Sequence, residues 1–418
     1  MAQFLLQPLQ ALQFGDGRAP GEGGAFRSVL SPRPSTVLGA FRTALAANSG
    51  VLHRLVAGDD ERVDPVIGGR KDSGSLTIRG PLLVAERSGK RQLWAPCPAD
   101  FELFSGDQAP ALHPLMPVAL EPGDGMMGID DTRTATVPMA LAAAPEAKPG
   151  DRPRHVPWDW LMDWLAWKPG SAAPASPADG DVIARRHGEK VRLVNRFLQQ
   201  HVTMQPGRTA EDGGLFAAER AEVADAAGVA WWVDIDGLEP HAPPRTLTLG
   251  GQQGLASVVP MSPPFGQTVP GALPSEVEQA IAKSGGYLRI LVLMPAVLSS
   301  GSVPTEGLLG GGEVRGACVP GYEPLSGSRL LDRGRAEPRP ARRAVPPGSV
   351  FVVKYRSSED AVAQARALWF GNLCDDANDR KSGLGLVVAG GFPFASRMDD
   401  AWARLERSQN GGNDVVGQ

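Results

Sequence analysis

Residues 349–373 read SVFVVKYRSSEDAVAQARALWFGNL, and KSGLGLVVAGG follows at 381–391. Val350 to Tyr355 is a β-branched, apolar run of strand length. Ser357, with Asp360 three residues on, makes a capping-box-like start, and Val362, Ala365, Leu368 and Trp369 form the apolar stripe of a helix. Gly383 and Gly385 then make a bare turn before Leu386-Val387-Val388, a second buried strand. Such glycines let main-chain N–H groups approach a ligand or take positive φ. A dinucleotide fingerprint fails here, because the third glycine is Gly390 and a strand, not a helix, follows Gly385.

Further segments read outward from this unit. YLRILVLMPAV (287–297) is a buried strand, and FLLQPLQALQF (4–14) is a strand edged by Pro8. In SPRPSTVLGAFRTALAANSG (31–50), Ser35 reads as an N-cap, Val37, Leu38, Phe41, Ala44 and Leu45 as one face, and Asn48-Ser49-Gly50 as a stop. Gly39 inside this helix costs about 1 kcal/mol relative to Ala, which implies close packing on a strand or the approach of a nucleic-acid backbone. Residues 76–104 read as a hairpin around Ser88-Gly89-Lys90, and 213–237 as two strands paired with each other.

Residues 106–180 are proline-rich and irregular apart from WDWLMDWLAW (158–167), where Trp160, Trp164 and Trp167 share a helical face that forms core or a partner surface. The order of elements predicts an α+β protein of two ferredoxin-like (RRM-like) lobes with long Gly/Pro-rich insertions. The N-terminal lobe covers 1–265 with its insertion at about 106–180, and the C-terminal lobe covers 266–418 with the glycine-rich loop.

A formal charge of −4 argues against a free-standing binder that wears a global basic field. Basic stretches are local, at RLLDRGRAEPRPARR (329–343), which reads as irregular, and ARRHGEKVRLVNR (184–196). Cys97, Cys318 and Cys374 form no CxxC pair, so neither disulfides nor zinc are implied, and a cytoplasmic protein is expected. No apolar run approaches a membrane span. The six histidines show no HExxH, and Asp130-Asp131, Asp234 and Asp236 read as turns and solvated strand faces. No catalytic constellation, metal site or cofactor motif assembles from these residues.

Several motifs, taken in order, resemble one family. They are LQPLQALQFGDGRAPGEGG (6–24), PSTVLGAFRTAL (34–45), LTIRGPLLV (76–84) with LWAPCPADFEL (93–103), GRTAEDGGLFAAE (207–219), LGGQQG (249–254), LVLMPAVLSSG (291–301), RAVPPGSVFVV (343–353) and SGLGLVVAGG (382–391). The family is that of subunit three of the Cmr complex, RAMP proteins of the Cas-five-like group in type III-B CRISPR effectors. The resemblance implies a non-catalytic subunit that holds the 5′ handle of CRISPR RNA and bridges the large polymerase/cyclase-like subunit to the backbone RAMP subunit, without cofactor, metal or membrane.

Carried over by position, its RNA-binding residues are Phe14, Asp16, Gly17 and Arg18, then Ser35, Thr36, Gly39 and Arg42, then Gly383 and Gly385. Gln252 and Gln253 depart from the family's acidic-basic pattern, and 106–180 is enlarged. The alternative within the same group is a RAMP endoribonuclease that processes precursor CRISPR RNA, for which only His53 is suitably placed. A purely structural assembly subunit is the third reading.

Overall fold

The structure is a computed structural model. It describes residues 2–16, 27–57, 64–69, 73–87, 90–105, 110–119, 136–141, 148–177, 182–186, 189–205, 210–224, 228–261, 271–330, 336–338 and 340–411. In chain order the first part holds β1 (Ala2–Pro8), α1 (Pro34–Asn48), α2 (Leu52–Ala57), β2 (Thr77–Arg87), β3 (Lys90–Pro96) and β4 (Phe101–Ser105). Short strands β5 (Ala111–Pro114), β6 (Met116–Pro117), β7 (Met139–Ala140), β8 (Lys148–Pro149) and β9 (His155–Pro157) lead to α3 (Trp158–Leu165). Next come β10 (Val182–Arg186), β11 (Glu189–Arg192), β12 (Val194–Met204), β13 (Ala210–Val223), β14 (Ala230–Asp236), β15 (Thr246–Thr248) and β16 (Leu255–Pro260).

The remainder holds α4 (Ser275–Ala282), β17 (Tyr287–Val292), β18 (Glu313–Cys318), β19 (Glu323–Leu325), β20 (Ser328–Leu330), β21 (Ala336–Pro338) and β22 (Arg342–Ala344). It ends with β23 (Val350–Lys354), α5 (Ser358–Leu368), α6 (Ala377–Lys381), β24 (Val387–Gly390) and α7 (Ala395–Gly411). The protein is thus mixed α and β, and its sheets are antiparallel.

The larger sheet runs β15-β16-β1-β14-β2-β3-β9, and α1 connects β1 to β2 across one of its faces. The smaller runs β18-β23-β17-β24, with α5 connecting β23 to β24. Each contains four strands whose spatial order, numbered within the unit, is 4-1-3-2: β16-β1-β14-β2 in the first and β24-β17-β23-β18 in the second. The first unit carries its crossover helix before strand two, and the second carries it before strand four.

Phe4-Leu5-Leu6 is buried throughout because this sheet is covered on both sides. Phe4 and Leu6 join Leu83, Trp231, Val37 and Phe41 under α1. Leu5, Leu82 and Trp232 belong to the core that also holds Leu288, Ile290, Phe351 and Val388 of the smaller sheet. One hydrophobic core therefore runs through both sheets. The far face of the smaller sheet is closed by α7, where Met398 and Ala401 pack with Tyr287, Val352 and Phe392.

The Trp-rich helix is core. Arg289, in the middle of β17, donates from Nη1 to Asp100 Oδ2 at 3.1 Å and from Nη2 to the Trp164 carbonyl, and its guanidinium lies 4.9 Å from the Trp164 ring centroid. Trp164 Nε1 donates to the other Asp100 oxygen at 3.2 Å. Burial pushes the Arg289 pKa down and the Asp100 charge opposes that shift. Gly390 fits here because a Cβ would lie 2.7 Å from Leu165 Cδ2 and 2.8 Å from its backbone. Trp167, beyond the end of α3, is still buried and meets Phe394 edge-on.

Four local expectations are corrected. β13 pairs with β12, not with β14, which lies between β1 and β2. The stretch 106–180 carries short strands as well as α3, and 329–343 contributes to β20, β21 and β22. Helix α1 begins at Pro34, with Arg33 at the N-cap and no side-chain cap, so Ser35 lies inside the first turn. Proline suits that first position because its fixed φ matches the helix and it lacks an N–H that would go unpaired.

Replacing Arg289 with Ala leaves Asp100 buried without its cation and is expected to cost about 3–5 kcal/mol. Chemical denaturation checks this. A double change, Arg289→Met with Asp100→Leu, is expected to recover part of the loss.

Candidate functional site

The exposed side of α1 faces the C-terminal unit across a groove of about 390 Å³. Ser35, Thr36, Gly39 and Arg42 line one wall, and Ser326, Arg342, Asp379 and Ser382 line the other. Its charged lining is three guanidinium groups, Arg33, Arg42 and Arg342, and one carboxylate, Asp379. The positive end of the α1 dipole lies at this end of the groove, although Pro34 lacks an N–H and those of Thr36 and Val37 donate to Arg33 O.

Each wall is fixed by a specific cation. Arg33, largely buried, donates to the carbonyls of Asp16 at 3.0 Å, Pro324 at 2.6 Å and Ser326 at 3.2 Å, and pairs with Glu323 at 3.4 Å. Burial pushes the Glu323 carboxyl above its ordinary value, against the pull of Arg33. Arg342 holds Asp379 bidentately at 2.7 and 2.9 Å. Asp376 caps α6 by accepting from the N–H groups of Asn378 and Asp379, which presents Asp379 to that arginine. Arg42 spends donors on the carbonyls of Ile67 at 2.7 Å and Gly69 at 2.5 Å, so it holds the 64–69 loop as well as lining the groove.

Gly39 is open: a Cβ there would meet nothing within 4 Å, so close packing on a strand does not account for it. Gly383 is the reverse. Its φ is +81°, and a Cβ would fall 2.8 Å from Ile78 O and 3.1 Å from Pro34 Cβ, at the seam between the C-terminal unit and the larger sheet. Its N–H donates to Arg380 O, and that of Gly385 donates to Pro295 O at 2.8 Å. A Cβ on Gly385 would crowd Cys374 Sγ at 2.7 Å. The two glycines are thus occupied in packing the chain on itself, and neither N–H is left for a phosphate.

Phe14 is also core, edge-on to Trp231 at 5.8 Å, with its N–H donating to Ser28 Oγ. Asp16 reaches the groove's border through its carbonyl, whereas Gly17 and Arg18 lie outside the described residues. The structure therefore gathers Ser35, Thr36, Gly39 and Arg42 into one groove. It adds Arg33 and Asp379, which the sequence reading did not single out, and Arg342, marked there only as part of the basic stretch 329–343; the N-cap spacing of Asp376 to Asp379 is a local signal that could have drawn attention to α6.

His53 is exposed on α2. A Ser–His–Asp grouping does occur, with Ser49 Oγ 3.2 Å from His241 Nδ1 and Asp64 Oδ1 3.2 Å from Nε2. Burial works to raise the Asp64 pKa, but the Ile67 and Val66 N–H groups and His241 hold it below its ordinary value. Ser49 caps the C-terminal end of α1, and the adjacent N–H groups of Ser49 and Gly50 are used on Leu45 O and Ala47 O. Those two N–H groups are therefore not free to serve as oxyanion donors beside that hydroxyl, and the helix end there is negative. The grouping is a clamp between α1 and the 64–69 loop. Among the described residues no three His, Cys, Asp or Glu side chains converge as metal ligands.

A family model described as CRISPR-associated protein (Cas_Cmr3) matches residues 4–391. The chain belongs to that family. The match spans both sheets and the groove and ends before α7. No curated protein matches the chain. One similar solved structure is a chain of the Type III-B Cmr-beta bound to cognate target RNA and AMPPnP, at 14% identity over 84% of this chain and 86% of that one, TM-score 0.43. A second, the Type III-B Cmr-beta bound to cognate target RNA, gives 15% identity over the same shares, TM-score 0.40.

The contrast between Gly39 and Gly383 is testable by calorimetry. Gly39→Ala is expected to raise stability by up to about 1 kcal/mol, because the site is helical and open. Gly383→Ala is expected to lower it by about 1–3 kcal/mol, because the φ is positive and the approach to Ile78 is filled.

Proposed function

We propose that this Cmr3-family protein is a non-catalytic subunit that holds the 5′ handle of CRISPR RNA in the groove between α1 and the C-terminal unit. It bridges the large polymerase/cyclase-like subunit to the backbone RAMP subunit in a cytoplasmic ribonucleoprotein. The two units, 1–265 and 266–418, are ferredoxin-like lobes in this reading, as their shared 4-1-3-2 strand order supports.

The observation that carries the reading is the convergence of Ser35, Thr36, the open backbone at Gly39 and three guanidinium groups on one concave surface. A single-stranded end is held by hydroxyls, main chain and a few arginine–phosphate pairs, and such a site does not need a globally basic protein. In a net-acidic chain the local excess of cation in the groove, with Arg33 and Arg342 matched by Glu323 and Asp379 and Arg42 bonded to neutral carbonyls, is what attracts phosphate.

The test is Gly39→Gln in the assembled complex, purified through a tag on this chain. Glutamine favours helix over glycine and meets no atom at the first carbon, so the melting temperature should hold or rise. Bound CRISPR RNA should fall severalfold per complex. Normal RNA content with normal assembly would exclude the groove as the handle site.

A further inference from the structure

The β19–β22 ribbon has two sides, and adjacent arginines divide between them. Arg342 lines the groove and is neutralised by Asp379, while Arg343 lines a separate cavity of about 330 Å³ with Ser300, Gly301, Ser302, Gly321 and Tyr322. The Arg343 guanidinium lies 5.1 Å from the Tyr322 ring centroid, and the tyrosine is 59% exposed. Among the described residues Arg343 forms no ion pair. A nearby carboxylate, Asp375, accepts from Ser299 N–H at 2.6 Å.

The backbone of the cavity is bare as well. Gly301 and Gly321 have φ of +95° and +130°, and a Cβ on either would meet nothing within 4 Å. Neither glycine is needed for internal close packing, unlike Gly383. The Ser300 hydroxyl donates to Val303 O and keeps its acceptor side.

We propose that this cavity is a second nucleotide subsite for single-stranded RNA, an assignment that rests on the RNA-holding reading of the groove. A base stacks on the face of Tyr322 away from Arg343, and the neighbouring phosphate pairs with the Arg343 guanidinium and accepts from the hydroxyl of Ser302, while the Ser300 oxygen is left to accept from a sugar hydroxyl or a base N–H. Stacking on an aromatic ring is tolerant of base identity, and a guanidinium without a carboxylate partner is the ordinary ligand of a phosphate. A protein hot spot would set tyrosine and arginine within a desolvated apolar rim. Here two serines and two glycines open at Cα flank the exposed Tyr322–Arg343 pair, and Ala344 and Val345 are the only aliphatic side chains in the lining. The ribbon is only two strands wide, so an RNA leaving the groove past Arg342 reaches Arg343 on the same strand.

The probe is a fluorescein-labelled oligouridylate of about ten nucleotides, within the span of such single-strand sites, titrated with the full-length protein at several salt concentrations. Tyr322→Ala is expected to weaken binding about tenfold, and Tyr322→Phe to restore it. Arg343→Ala is expected to flatten the slope of log affinity against log salt by about 0.7, and Arg343→Lys to retain the slope. Wild-type affinity and slope in Tyr322→Ala and Arg343→Ala, with loss in Gly39→Gln, would overturn the subsite and leave the groove standing. Absence of binding by the unmodified protein would overturn both. Unchanged RNA affinity in Tyr322→Ala with loss of copurifying protein subunits would overturn the subsite by assigning the surface to a protein partner.

Discussion

Burial of the Leu5, Leu82 and Trp232 face of the larger sheet against the C-terminal unit is the contact on which the rest of the structure depends. Each such side chain contributes about 1.5–3 kcal/mol when fully removed from water. The contact also fixes where two distant parts of the chain meet at the surface. Gly383 lies at the edge of that junction, close enough to Ile78 O that any side chain would push the units apart. The groove is the outer lip of the same junction. Arg33 ties the start of α1 to the carbonyls of β19 and the loop after it, and Lys381 Nζ reaches Gly74 O at 3.1 Å. The shape of the groove is therefore a consequence of the core, and its chemistry comes from what each unit presents at the rim.

The enlarged middle of the chain is tied to the same core by a buried charge. Arg289 stands in a strand whose every residue is buried, a position that water cannot serve, so Asp100 and the Trp164 carbonyl must supply its partners. That requirement places α3 against β24, where Gly390 leaves room for it. The insertion is in this sense part of the fold and not an appendage to it.

Much of this was legible in the sequence where local signals agree with tertiary need. Ser357 caps α5 by accepting from Asp360 N–H at 3.0 Å, β17 is buried along its length, and β2 and β3 pair around residues 88–90 as their patterning implies. Where chain neighbours do not pair, sequence order misleads: β13 looks like a partner for β14 because it precedes it, yet it turns back on β12. The site was half legible. Ser35, Thr36, Gly39 and Arg42 lie on one helix and arrive together, whereas Arg342 and Asp379 are far apart in sequence and meet only through folding. Gly383 and Gly385 carry no mark that separates a ligand turn from a packing seam. That distinction depends on what stands opposite the missing Cβ, and no single sequence contains it.

The central claim is that the lip of the shared core holds RNA. Photo-crosslinking within the assembled complex, using CRISPR RNA with 4-thiouridine at successive handle positions and peptide mapping by mass spectrometry, tests it most directly. The account predicts crosslinks on the Pro34–Arg42 segment of α1 and on residues 325–327 and 378–382 opposite it. Handle crosslinks confined to other surfaces of the chain, with none on either wall of the groove, would contradict it.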